Sequence, residues 1–135
     1  MIVVDASIVA ELLLGLPRAP AIRERLARAS STEGGLIAPH LLDAEVGNAL
    51  RRLVLHGQVR AARAQAALDA LATLPIARRD HRSLLKRAFA LRDHATFYDA
   101  LYVALAEALD GVLLTLDHAL SRIPHHRGRV EWIGP

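Results

Sequence analysis

The sequence predicts an α/β fold, a mainly parallel sheet of four or five strands with helices on both faces. Three observations carry that expectation. The short apolar runs Ile2–Val4 and Gly111–Leu116 each stop at an aspartate, Asp5 and Asp117. A third run, Leu36–Ala38, is set off by Gly34 and Gly35 before it and Pro39 after it. Between such runs the apolar residues recur with the period of an amphipathic helix. Strands alternating with helices require crossover connections, and therefore a parallel sheet covered on both sides.

Taken in order, Ile2–Val4 is the first strand, β-branched and uninterrupted. Ser7–Leu14 and Ala21–Ala29 read as short helices separated by Gly15 and Pro17. Leu36–Ala38 is the second strand. His40–His56 carries apolar residues at 42, 46, 49, 50 and 53, a helical stripe that closes at Gly57 as a C-terminal cap. Arg60–Leu71 is an alanine-rich helix, and Leu74–Ala77 a weaker strand. His81–Leu91 and Phe97–Leu109 are two further helices before the strand Gly111–Leu116. Val130–Ile133 is a last, weaker strand. No repeat, low-complexity tract or linker interrupts this pattern, so the 135 residues read as one domain, 1–135.

Composition excludes several classes of function. With 53% apolar and 23% charged residues the chain is not intrinsically disordered. It has no cysteine, which removes disulfide scaffolds, thiolate zinc sites, iron–sulfur clusters and cysteine nucleophiles. The apolar start MIVVDASIVAELLLGL is broken by Asp5 and Glu11 and lacks a preceding basic residue, unlike a signal peptide. A soluble, cytoplasmic protein is expected, with no membrane partner. The net charge is +3, and every basic residue except Lys86 is arginine. The guanidinium fork suits phosphate and nucleic acid, although a chain this rich in Ala and Leu explains arginine by composition alone. No glycine-rich phosphate loop follows any strand.

Four acids stand out by position. Asp5 and Asp117 end strands, where open parallel sheets bind their ligands. Glu45 lies at the edge of the apolar stripe of its helix, beside Leu41, Leu42 and Ala49, and Asp99 falls in the first turn of another. Each also has a purely structural explanation. Asp5 and Asp117 fit as N-caps, Asp99 has capping-box spacing to Thr96, and Glu45 fits a pairing with Arg52. Jointly they are costly. Two carboxylates ~5 Å apart repel by about 3 kcal/mol at an effective dielectric of 20, against a domain stability of only ~5–15 kcal/mol. Such a cluster must hold protons, arginines or a cation. Oxygen ligands without cysteine select a hard ion, Mg²⁺ or Mn²⁺.

The segments MIVVDASIVAELL, LLDAEVGNALRR and TFYDALYVALAEALDGVLLTLD, in that order, resemble the PIN-domain ribonucleases, in particular the VapC toxins of toxin–antitoxin pairs. The resemblance spans nearly the whole chain. It implies a three-layer PIN-like sandwich and a metal-dependent endoribonuclease whose acidic pocket is Asp5, Glu45, Asp99 and Asp117. Ser7, Asn48 and Thr115 match the polar positions that accompany those acids. It also implies an RNA substrate, a homodimer and a small inhibitory antitoxin. Where some relatives carry another acid beyond the T-x-D aspartate, His118, Ala119 and Leu120 stand here, which removes a ligand from a second metal site.

In such an enzyme Asp5 and Asp99 are the expected direct ligands. Asp117 and Glu45 would act through water or orient the nucleophile, Thr115 would tether a carboxylate or the attacking water, and Asn48 would brace Glu45. Competing readings are a catalytically idle module of the same fold, a receiver or phosphatase domain, and a metal-free nuclease working through histidines such as His125 and His126. A receiver needs a lysine at a strand end, whereas Lys86 falls mid-helix. A D-x-D phosphatase needs an acid where Ser7 stands.

Overall fold

The computed structural model describes residues 1–29, 33–124 and 129–135. Five strands form one sheet: β1 (Ile2–Val4), β2 (Leu36–Pro39), β3 (Ile76–Arg79), β4 (Val112–Thr115) and β5 (Arg129–Trp132). Their order is β3-β2-β1-β4-β5, and every neighbouring pair is parallel. The expected sheet is therefore present, with all five strands in it. Six α-helices connect them: α1 (Ala6–Leu14), α2 (Ala19–Ala29), α3 (Leu41–Leu55), α4 (Ala61–Leu71), α5 (Leu85–Ala90) and α6 (Phe97–Ala108).

The strand order dictates where the helices go. From β1 to β2 to β3 the chain steps one way along the sheet, and right-handed crossovers put α1 to α4 on one face. From β3 to β4 it reverses direction, so α5 and α6 cover the other. Helix α1 accordingly packs on α2, α3 and α4, while α6 packs on β1, β2, β4 and α5. The reversal point lies between β1 and β4, and the crevice outside their carboxyl ends is where such sheets bind ligands. Asp5 and Asp117 leave the sheet there.

The core explains which sequence runs became which element. β1 and β4 are buried throughout, sandwiched between both helix layers. Helix α6 is buried continuously from Ala100 to Ala106, because it crosses the centre of the sheet. β3 begins at Ile76 rather than Leu74, since Pro75 has no N–H to donate and the register pairs Ile76 with Leu36. It is an edge strand, which lets Arg78 and Arg79 sit in it. The segment expected as one helix over His81–Leu91 instead makes a 3-10 turn, Arg82–Leu84, before α5. A second 3-10 turn, His118–Arg122, follows Asp117.

Chain ends of the elements follow local rules. Gly15 and Gly57 adopt positive φ, 60° and 70°, just past α1 and α3, where a side chain would be strained. Gly111 is needed for space: a Cβ there would lie 2.7 Å from the Met1 carbonyl oxygen, which accepts from Val112 N–H at 3.3 Å.

Candidate active site

All four acids line one cleft of about 680 Å³ at the carboxyl edge of the sheet. They arrive from four elements. Asp5 follows β1, Asp117 follows β4, Glu45 is on α3 and Asp99 on α6. Because α6 runs back toward the start of β4, its first turn, and with it Asp99, lies at the carboxyl edge. The cleft wall supplied by α3 is Leu41, Ala44, Glu45, Asn48, Ala49 and Arg52, one helical stripe.

The structural explanations of these acids hold as well. Asp5 N-caps α1, accepting from Ile8 N–H at 3.1 Å. Asp117 caps its 3-10 turn, accepting from Ala119 N–H at 2.8 Å. Thr96 Oγ1 accepts from Asp99 N–H at 3.1 Å and caps α6. A cap and a cleft residue are compatible, since the capping turn is what aims the side chain.

Asp5 is the best-anchored of the four, with 6% of its surface exposed. Ser7 Oγ donates to its Oδ1 at 2.5 Å and Thr115 Oγ1 to its Oδ2 at 2.5 Å. The two hydroxyls in turn accept from Leu116 N–H at 3.1 Å and Asp117 N–H at 3.0 Å. This chain of bonds stitches β1 and α1 to the end of β4. Of the roughly four acceptor positions on a carboxylate, one on Oδ2 remains.

The electrostatics are those of a crowded acid pocket. Burial raises the Asp5 carboxyl above the ordinary range, offset in part by Ser7, Thr115 and Ile8, with Asp99 raising it further. Glu45 is raised by burial and by Asp99 and Asp5, with Tyr102 and, more weakly, Arg52 acting against them. Asp99 is raised by burial and by Asp117. Asp99 is thus the carboxylate that the others share.

Two expectations about neighbours change, and that for Thr115 is met. Glu45 makes no ion pair with Arg52 among the described residues; its near neighbour is Tyr102, one turn beyond Asp99 on α6. The Tyr102 hydroxyl is buried and close enough to Glu45 to feel its charge, yet it makes no hydrogen bond of good geometry. Asn48 lines the cleft beside Glu45 without bonding to it. Thr115 tethers a carboxylate, that of Asp5. Tyr102 was legible only as one more residue of an apolar helix face, three positions after an acid. His125 and His126 lie outside the described residues, and Lys86 sits exposed on α5 away from the cleft.

The donor set fits a hard cation. It is all oxygen, desolvated at Asp5 and in part at Glu45 and Asp99, and short of positive charge. Among the described residues no three His, Asp or Glu side chains converge closely enough to cage an ion. An ion that takes one or two carboxylates and keeps its water is compatible with that spread, and Mg²⁺ is such an ion.

A doubly covered parallel sheet with acids gathered at its reversal point defines a class of α/β domains with an acidic cleft outside the strand ends. Residues 2–126 match the PIN domain, and the chain belongs to that family. It is 47% identical to ribonuclease VapC1 of Mycobacterium tuberculosis, over 90% of each chain. It is 33% identical to ribonuclease VapC12 of the same species, over 98% of this chain and 99% of the relative. Among solved structures it superposes on PAE2754 from Pyrobaculum aerophilum with a TM-score of 0.69 at 25% identity, covering 98% of this chain and 87% of that one. The Rickettsia felis VapBC2 structure, bound to a DNA fragment from their promoter, gives 0.70 at 16% identity over 97% and 98%.

Proposed function

We propose that the chain is a divalent-metal-dependent endoribonuclease, the toxin of a VapBC-type pair, acting on RNA in the cytoplasm. The observation that carries this is the gathering of Asp5, Glu45, Asp99 and Asp117 into one cleft of a PIN domain. The names of the relatives, all VapC ribonucleases, support it. No described helix is long and apolar enough to cross a membrane, in keeping with that location.

Asp5 and Asp99 would hold Mg²⁺ or Mn²⁺ directly, with Asp117 and Glu45 reaching it through water. When bound, the cation supplies acidification of a water molecule and charge neutralisation at the leaving oxygen. The chain's own residues do the rest. Ser7 and Thr115 fix the Asp5 carboxylate and leave one lone pair of Oδ2 for the ion. Asp117, exposed at the mouth, orients the attacking water. Glu45, whose proton affinity is raised by burial, would in its ionised form take the proton that water loses. A small VapB-like antitoxin is the expected inhibitory partner.

Cleavage of RNA should stop in EDTA, return with Mg²⁺ or Mn²⁺, and leave a 5′-phosphate beside a 3′-hydroxyl. Asp99→Asn, purified in parallel, should be folded and inactive. Cleavage that persists in EDTA with a 2′,3′-cyclic end would establish the histidine mechanism instead. A well-folded protein that cleaves no RNA with either ion would establish an idle module.

A further inference from the structure

The cleft holds two exposed side chains that make no hydrogen bond or ion pair among the described residues. Tyr98 lies in the first turn of α6, directly before Asp99, with 59% of its surface exposed while Ala100 to Ala106 are buried. It lines the cleft, and among the described residues it makes no hydrogen bond, ion pair or ring contact. Arg52, on the opposite wall, is two turns along α3 from Glu45. Many other arginines are committed: Arg25, Arg78, Arg82 and Arg87 each grip a carboxylate. Arg52 lies exposed in an acidic cleft and still forms no ion pair there among the described residues.

We propose that Tyr98 and Arg52 form a nucleotide-binding rim: the Tyr98 ring stacks on an unpaired base beside the scissile phosphate, and Arg52 grips a phosphate further along the strand. The proposal rests on the ribonuclease reading above and adds to it the residues that seat the RNA. Two physical needs motivate it. A cleft lined by four carboxylates repels a polyanion, so a free guanidinium on its wall is the group that offsets the approach. A single-stranded substrate also needs an apolar face to hold its bases, and aromatic stacking serves every base. The separation is suitable. Seven residues of helix put Arg52 roughly 10 Å from Glu45 along α3, a reach of one or two nucleotides. Arg52 also stands in the last turn of α3, where a cation favours the helix dipole, so the test must separate that role from phosphate binding.

The test is steady-state cleavage of a fluorescence-quenched, random-sequence single-stranded RNA by the full chain with Mn²⁺, at several KCl concentrations. Tyr98→Ala should raise KM roughly five- to hundredfold with little change in kcat, and Tyr98→Phe should restore the wild-type KM. Arg52→Ala should raise KM and flatten its salt dependence by about 0.7 in log–log slope, the loss of one phosphate contact to a single strand. Melting temperatures should stay near wild type, because both side chains are exposed. A Tyr98→Ala enzyme with unchanged KM, or equal losses in Tyr98→Ala and Tyr98→Phe, overturns the stacking. An unchanged salt slope in Arg52→Ala overturns the phosphate contact. Either result beside an active wild type leaves the ribonuclease reading standing, whereas a wild type that cleaves no RNA removes both.

Discussion

Asp99 shows how a single side chain can serve a site at the expense of the fold. Burial and the neighbouring Asp117 raise its carboxyl, so the folded protein takes up a proton there more readily than the unfolded chain does. A raised acid favours folding fully below the unfolded value, about 3.9, and loses that advantage as pH rises through the folded value. In EDTA, Asp99→Asn should therefore melt higher than wild type at pH 8, with the gap closing as pH falls toward 4. Melting curves of both proteins across that range check it; a gap that widens on acidification would contradict the account. Asp5 shares the burial but has Ser7 and Thr115 to hold its charge, which is why Asp99 is the better reporter.

At the scale of elements, close approaches and ion pairs hold the layers in place. Gly111, between α6 and β4, lets the chain pass the Met1 carbonyl, and an added methyl would have to displace backbone. Gly111→Ala should cost about 1–3 kcal/mol and lower the melting temperature by roughly 3–10 °C, measured by thermal unfolding. On the opposite side of the sheet Arg78 of β3 grips Asp43 of α3 through both carboxylate oxygens, at 2.9 and 2.7 Å. That fork holds the Asp43 carboxyl below its ordinary range. Here the sign is the reverse of that at Asp99: the stabilisation is present above about pH 4 and lost as pH falls through the depressed folded value. Arg78→Ala should thus be less stable than wild type at pH 7 by up to about 1 kcal/mol, since Asp43 is 45% exposed and screened. The deficit should vanish in strong acid, as denaturant titrations at pH 7 and pH 2.5 would show.

For the whole molecule, the distribution of exposed apolar groups matters most. Leu85 and Phe89 of α5 are 40% and 60% exposed, and Leu55 and Leu68 of α3 and α4 are 64% and 39% exposed. The family resemblance and these uncovered helices favour a homodimer. Light scattering on the purified chain should give about twice 14.7 kDa; a monomer over a wide concentration range would rule the dimer out without touching the chemistry. All four acids of the proposed active cleft come from one chain, from the ends of β1 and β4 and from α3 and α6, so activity should not track the degree of association.

What the sequence determined by itself were the features that depend on neighbours within a turn. Apolar runs stopped by Asp5 and Asp117, the Thr96 cap, the Gly57 terminus and the helical stripe of α3 are local consequences of sterics and hydrogen bonding, and they put Asp5, Asp99 and Asp117 at the ends of elements and Glu45 on the edge of a helical stripe. A mainly parallel sheet of four or five strands followed from their alternation. Tertiary structure alone decided register and pairing. β3 starts after Pro75 because it must align with β2, and the segment from His81 breaks into a 3-10 turn and a short helix before α5 packs on α6. Asp5 finds Thr115 across 110 residues because β1 and β4 are adjacent in the sheet. Glu45 lies near Tyr102 of α6 rather than pairing with Arg52, because α3 and α6 meet at the cleft outside the strand ends. Such contacts depend on the order of strands, and nothing within a few residues of Glu45 or Asp5 encodes that order.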